Sequence, residues 1–206
     1  MLLAGGGLLV RLRLAPPADK PRASTISEIE LAPMCPWREP ARDLPMLFPS
    51  ATHYVKETRI LSGVRPQLQR RLGRFPGPEE NSLLIHRVRN GTALVGSVLV
   101  RRVKGEHGGV EIVTAVHPEG TIRAVFVQSH REPESIANVI TAANWLASFA
   151  GKNANSPLRL REDLPDVPAE AQATAEAIAD GVRSQLILLS FADQPEQPRK
   201  VDSHHE

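Results

Sequence analysis

The sequence predicts an α+β domain in which a twisted antiparallel sheet of about four or more strands is flanked by helices. Three observations carry this. Strand-like runs from Ser82 to His130 are joined by tight turns, helix-period patterns follow them, and a Pro-rich stretch precedes the first apolar segment. Each strand run carries several Leu, Val or Ile, so at least one face of the sheet must be covered, and the flanking helices supply the cover.

Residues 1–43 read as an arm. Pro16, Pro17, Pro21, Pro33, Pro36 and Pro40 break the stretch, and the single helical candidate runs from Ser24 to Leu31. The first ten residues, MLLAGGGLLV, are apolar yet too short to span a bilayer, and they lack a basic leader. Arg11 and Arg13 follow at once, so the same pattern would result if the arm were the remnant of a membrane segment. From Leu44 to Tyr54 an apolar knot, broken at Pro49, opens the folded part, expected to run over 44–190. Val64 to Gly73 reads as a short helix with Val64, Leu68 and Leu72 on one face and Gly73 as its stop. FPGPEEN is then a loop.

The strands come next. SLLIHRVR and TALVGSVLVRRV are separated by Asn90-Gly91, the strongest hairpin signal in the chain. The hairpin over Gly108–Pro133 has a first arm in which Val110, Ile112 and Val113 mix with Glu111 and Thr114, a turn at Pro118-Glu119-Gly120, and a second arm whose apolar run from Ile122 to Val127 predicts a mostly buried strand, the chain leaving the sheet at Gln128. Gln128 to Glu132 is a polar cluster closed by Pro133, which cannot continue a ladder. Glu134 to Ala150 has an apolar stripe of Ile136, Ile140, Ala143, Leu146 and Ala147 that ends at Gly151, and a last helix from about Ala169 to Leu189 presents Ile178, Val182, Leu186 and Leu189. Residues 191–206 read as a disordered polar tail.

Composition narrows the functional classes. The 206 residues carry a net charge of +2, but Lys56 to Lys104 is strongly basic and the last third acidic. A basic span can serve nucleic acid, lipid headgroups or an acidic partner, or be ordinary solvated surface. Five Phe, two Trp and one Tyr, all scattered, do not make a stacking platform for single strands. The lone Cys35 excludes an internal disulfide and a Cys-rich zinc site. His107, His117 and His130 have no carboxylate or Cys at matching spacing for a metal, and no Ser-His-Asp set, phosphate loop or paired-carboxylate motif emerges.

The order of several short segments resembles the FMN-binding domain family. That family includes the C subunit of the sodium-pumping NADH:quinone reductase, the G subunit of the Rnf complex and the nitrous-oxide reductase regulatory protein. The matching segments are Leu47-Phe48-Pro49-Ser50-Ala51, Gly108-Gly109 with the strand after it, Glu119-Gly120-x-Ile122, His130-x-Glu132-Pro133, and Trp145-Leu146-x-x-Phe149-x-Gly151-Lys152. The resemblance implies a flavin carrier that is periplasmic or membrane-associated, partnered by subunits of a membrane-bound electron-transfer complex. FMN would be joined to a Thr in an Asp-x-x-(Ser/Thr)-Gly-Ala-Thr motif just before the last helix. Such a motif needs a hydroxyl, a Gly that admits backbone N–H groups to phosphate, and a helix N-terminus.

The corresponding segment here is Asp166-Val167-Pro168-Ala169-Glu170-Ala171-Gln172. Gln172 lacks the hydroxyl, and Glu170 puts a negative charge where phosphate would approach. An offset alignment offers Thr174 instead, with Gln172 in place of the Gly; an ordinary first-turn helix position is the competing reading. Covalent attachment is thus expected to be lost. By the resemblance, cofactor contacts would fall to Ser129, His130, Glu132, Asp166, Gln172 and Thr174. His130 and Glu132 could equally close the sheet edge and cap the next helix. The expected role is a non-enzymatic accessory subunit of an electron-transfer assembly. A carrier of noncovalent FMN and a basic module for protein or nucleic acid are the alternatives.

Overall fold

The computed structural model describes residues 44–194. The arm over 1–43, its helical candidate, Cys35, and the tail from residue 195 onward lie outside the described residues. Within them the order is α1 (Leu44–Leu47), β1 (His53–Ile60), α2 (Arg65–Leu72), β2 (Ser82–Asn90), β3 (Ala93–Lys104), β4 (Gly109–Val116), β5 (Ile122–His130), α3 (Glu134–Ile140), α4 (Ala143–Ala147) and α5 (Ala169–Ala192), with single 3-10 turns at Ser62–Val64 and Pro78–Glu80. The five strands form one antiparallel meander in sequence order. Positive φ at Gly73, Gly91 and Gly120 falls at the helix stop and turns that the sequence marked, whereas Gly151, also at positive φ, lies beyond Ser148, the C-cap of α4.

One face of the sheet is covered by helices. Leu68 and Leu72 of α2, Ile136 and Ile140 of α3, Phe149, and the apolar stripe of α5 pack on Leu83, Ile85, Leu99, Ile112 and Val116. On the opposite face Leu47 and Phe48 pack with Val88, Val98, Val113 and Ala115. Because both faces carry core, β4 is the most thoroughly buried of the three interior strands, buried at every position after Gly109. β5 lies at the sheet edge and is mostly half-buried, so the expectation that β5 is the buried arm is corrected. The polar residues of β4 are tolerated because they are bonded: Thr114 donates to Gln185 Oε1 at 2.7 Å and Glu111 accepts from Gln128 at 3.3 Å.

Two further features depart from the sequence pattern. β1 is a strand although HYVKETRI shows no burial alternation; it is an edge strand held by its ladder to β2 and exposed at most positions. The helix expected over Glu134 to Ala150 breaks at Ala142, whose φ of −60° and ψ of 126° are extended, while the Thr141 hydroxyl bonds back to the Ala137 carbonyl at 2.7 Å. The break sets Trp145 edge-on to Phe149, ring centroids 5.2 Å apart, with both residues buried.

α5 crosses the sheet over β3 and β4. Its 24 residues span about 36 Å. At the crossing, a Cβ on Gly181 would come within 2.5 Å of the Val103 side chain and 2.9 Å of the Ile112 side chain, so the helix backbone there rests directly on the side chains of the sheet. Polar contacts mark positions along the helix: Thr174 near its start, Ser184 bonded by Arg74 at 3.1 Å, Gln185 bonded by Thr114, and Asp193 just past its end paired with Arg87.

The loop between α2 and β2 is organised by Glu80, whose side chain is fully buried. Its carboxylate accepts from both terminal nitrogens of Arg74 at 2.8 Å, from Arg101 at 2.8 Å and from the Gly77 N–H at 2.8 Å. Burial alone would push this carboxyl up, but the hydrogen bonds from Arg74 and Gly77 and the charge of Arg101 hold it down to about 2.

Two outcomes follow from this packing. Gly181→Val is expected to lower unfolding free energy by about 1–3 kcal/mol, because overpacking at the crossing outweighs the gain in helix propensity. Urea denaturation of variant and parent measures it. For Glu80 the folded-state value lies below the ordinary 4.5, so its stabilisation is present above that value and is lost as pH falls toward 2. Glu80→Gln should destabilise at neutral pH by roughly 3 kcal/mol and flatten the acid limb of a plot of Tm against pH.

Candidate functional site

Strand β5 pairs through His130, and the Arg131 N–H still reaches the Gly109 carbonyl at 3.1 Å before Pro133 ends the ladder. Ser129 lies opposite Glu111 and His130 opposite Val110, both half-buried, and the His130 Nδ1 is buried with no hydrogen-bond partner among the described residues. Glu132 does not pair with His130 and does not cap α3, whose N-cap is Pro133. Its fully buried carboxylate instead turns under the β3–β4 turn, accepting the His107 N–H at 3.2 Å on both oxygens, with the His107 ring Nδ1 3.1 Å from Oε2.

Thr174 meets Glu132 at the same turn from the other side. It is completely buried, and its hydroxyl accepts the Glu106 N–H at 2.9 Å. Between the two side chains lies Gly105, where a Cβ would stand 2.0 Å from Glu132 Oε1 and 3.0 Å from Thr174. Any side chain at 105 would force this clasp apart. The Gly105 N–H donates to the Gly108 carbonyl at 2.7 Å and closes the turn. The backbone donors of the turn are therefore satisfied by residues from the β5–α3 link and from α5, which is what buried amides require.

Asp166 and Gln172 point elsewhere. Asp166 is exposed, pairs with Arg161 at 2.9 Å, and accepts the Val167 N–H at 3.0 Å. The hydrogen bond from Arg161 holds its carboxyl below the usual range. The Gln172 amide donates to Glu176, one turn on, at 2.9 Å. Two helical residues are rotated by about 200°, so Gln172 and Thr174 occupy opposite flanks of α5. The six residues singled out from the sequence consequently divide. Ser129, His130, Glu132 and Thr174 belong to the end of the sheet near the β3–β4 turn, while Asp166 and Gln172 lie toward a groove on the far flank of the helix.

That groove, of about 730 Å³, is lined by Gln172 and by four arginines from three elements: Arg71 at the end of α2, Arg159 and Arg161 in the α4–α5 connection, and Arg183 of α5. Glu162, Glu176 and Asp180 also line it. The connection is braced beneath its arginines. Asp163 accepts the Leu158 N–H at 3.0 Å and the Arg159 N–H at 2.7 Å, the Arg161 N–H reaches the Leu164 carbonyl at 2.9 Å, and Leu158 and Leu164 are buried. Leu158 at φ 53° and Arg161 at φ 67° take the left-handed region, a strained choice for side-chain-bearing residues. The alternation Leu158-Arg159-Leu160-Arg161 was the only signal of this wall in the sequence, and it reads as a loop because no regular element contains it.

Among the described residues no group of His, Cys, Asp and Glu is arranged to hold a metal ion, and no helix is long and apolar enough to cross a membrane. No family model and no curated protein sequence matches the chain. Among solved structures, the chain is similar to the crystal structure of NqrC from Shewanella oneidensis, at 16% identity over 73% of this chain and 87% of that one, with a TM-score of 0.49. A likeness of that extent assigns neither a ligand nor a role.

The clasp on the β3–β4 turn gives a direct expectation. Thr174→Val keeps the shape but removes the acceptor for the Glu106 N–H, so stability should fall by about 1–3 kcal/mol. Hydrogen exchange at the Glu106 and His107 amides should speed up more than exchange in the centre of β4.

Proposed function

We propose that this chain is an accessory subunit of a membrane-bound electron-transfer assembly, built on the plan of the FMN-binding domain and without covalent flavin. The observation that carries the covalent part of this reading is the state of Thr174. Between Asp166 and Glu176 it is the only hydroxyl, and it is buried and bonded to the β3–β4 turn. Gln172, which stands where the motif would have its acceptor, carries an amide engaged with Glu176. A phosphoester needs a free hydroxyl at that helix start, and none is offered.

The positions of the matched segments support the family part. Leu47 and Phe48 seat on the sheet, Gly120 makes the β4–β5 turn, Glu132-Pro133 joins β5 to α3, and Trp145 and Phe149 enter the core just before Gly151 takes positive φ. The matches thus occupy packing and turn positions throughout the fold. A periplasmic or membrane-associated setting comes with this reading, as does a non-enzymatic role.

Noncovalent FMN is the second reading, favoured by the groove beside Gln172, whose volume lies in the range of small-molecule sites. A basic interaction module is less well supported. Of the arginines in the basic span, Arg59 and Arg87 bind Glu57, Arg74 and Arg101 bind Glu80, and Arg102 lies 3.9 Å from Glu111. Charges already paired within the fold contribute little to phosphate-backbone binding.

The test is a visible absorbance spectrum of the native full chain, repeated on the pellet and supernatant after acid precipitation. The expected pellet is colourless, with any flavin wholly in the supernatant. Flavin absorbance that stays with the precipitated chain would overturn the reading. For the accessory role, a tagged full chain extracted from its own membranes in mild detergent should bring redox-active subunits with it; recovery of the chain free of them counts against that role.

A further inference from the structure

The groove on the Gln172 flank of α5 has a chemistry that the flavin-attachment motif does not describe. Its arginines spend only part of their donor capacity on the protein. Arg161 bonds Asp166 through Nε, Arg159 bonds Glu162 through Nη1 at 3.3 Å, and Arg71 uses Nη2 on Asn155 and the Ala154 carbonyl. Arg183 is the most committed, reaching the Leu72 and Arg71 carbonyls at 3.4 and 3.2 Å. Arg71, Arg159 and Arg161 all line the groove, and their other side-chain N–H groups have no partner among the described residues. Of the acidic residues there, Glu162 is engaged with Arg159, Glu176 accepts from the Gln172 amide, and Asp180 contributes a charge that is felt at Arg74.

We infer that this groove binds a phosphate monoester, with Arg159 and Arg161 gripping the phosphate and Arg71 closing on it from α2. A guanidinium presents its donors as a planar fork that matches two phosphate oxygens, and charge-assisted bonds of this kind are the strong ones. The bracing of the connection fits this use. Asp163 and the buried Leu158 and Leu164 fix a backbone in which Arg161 adopts a conformation unusual for its type, and Arg159 and Arg161 of this short loop both line the groove. A phosphate there would be held without a hydroxyl nucleophile and without a glycine-rich loop. Free phosphate and the phosphate of a nucleotide present the same oxygens. The choice of FMN as one probe rests on the reading above, whereas the phosphate site itself does not.

Calorimetric titrations of the full chain with inorganic phosphate, FMN and riboflavin, at constant ionic strength, separate the cases. Phosphate is expected to bind, and FMN to bind more tightly than riboflavin by about tenfold or more. Arg159→Ala together with Arg161→Ala should weaken phosphate and FMN by at least about tenfold while the circular dichroism spectrum is unchanged. Arg71→Ala, which leaves the braced loop intact, should weaken both in the same direction. Phosphate binding that neither variant alters, or no phosphate binding at all, overturns the site. Phosphate bound without FMN keeps the site and removes the noncovalent flavin reading. FMN bound no better than riboflavin, and unaffected by the variants, keeps flavin and removes the site.

Discussion

The docking of α5 on the sheet is the contact on which the rest of the molecule depends. The helix supplies the largest share of the cover for one apolar face, and Gly181 lets its backbone seat directly on the side chains of Val103 in β3 and Ile112 in β4. Apolar packing alone would leave the helix free to slide by a turn, since Ala, Ile, Val and Leu recur along its stripe. The polar contacts at Thr174, Ser184, Gln185 and Asp193 remove that freedom, each having a partner in one register only. Both flanks of the helix start inherit their geometry from this fixed register. One is pressed on the β3–β4 turn and the other borders the arginine-lined groove.

Much of the fold was legible because local chemistry and global packing agree. Asn90-Gly91, Gly120, Gly73 and Gly151 mark turns and stops that need positive φ, and the stripe of Ile178, Val182, Leu186 and Leu189 gives the buried face of α5 directly. β1 was not legible, since an edge strand whose side chains face solvent on both sides carries no period. Nor was the break at Ala142, because alanine and threonine fit a helix there by propensity and only the placement of Trp145 and Phe149 requires the bend. The burial order of β4 and β5 was inverted for a similar reason. Glu111 and Thr114 look like surface residues until their partners, Gln128 and Gln185, are seen.

The candidate site was legible in its residue types and not in its geometry. That position 172 carries an amide and no hydroxyl could be read directly. That Glu132 and Thr174 are spent on one turn could not, because they lie 42 positions apart, and the amides they bind belong to a third segment. The arginines of the groove were invisible for a different reason. They come together only through a loop whose left-handed residues are not glycine, and no sequence pattern announces that conformation.

Arg87 closes a circuit between distant parts of the chain. Nearly buried, it bonds Glu57 on β1, Ser97 on β3 and Asp193 just beyond α5. Before α5 docks, the guanidinium lies open to water; docking removes that water and supplies Asp193 in its place, so the full set of Arg87 bonds exists only with the helix end seated. A chain shortened by even a few residues before Asp193 would lose the end of α5 and, with it, a tie between the far edge of the sheet and the helix that covers it.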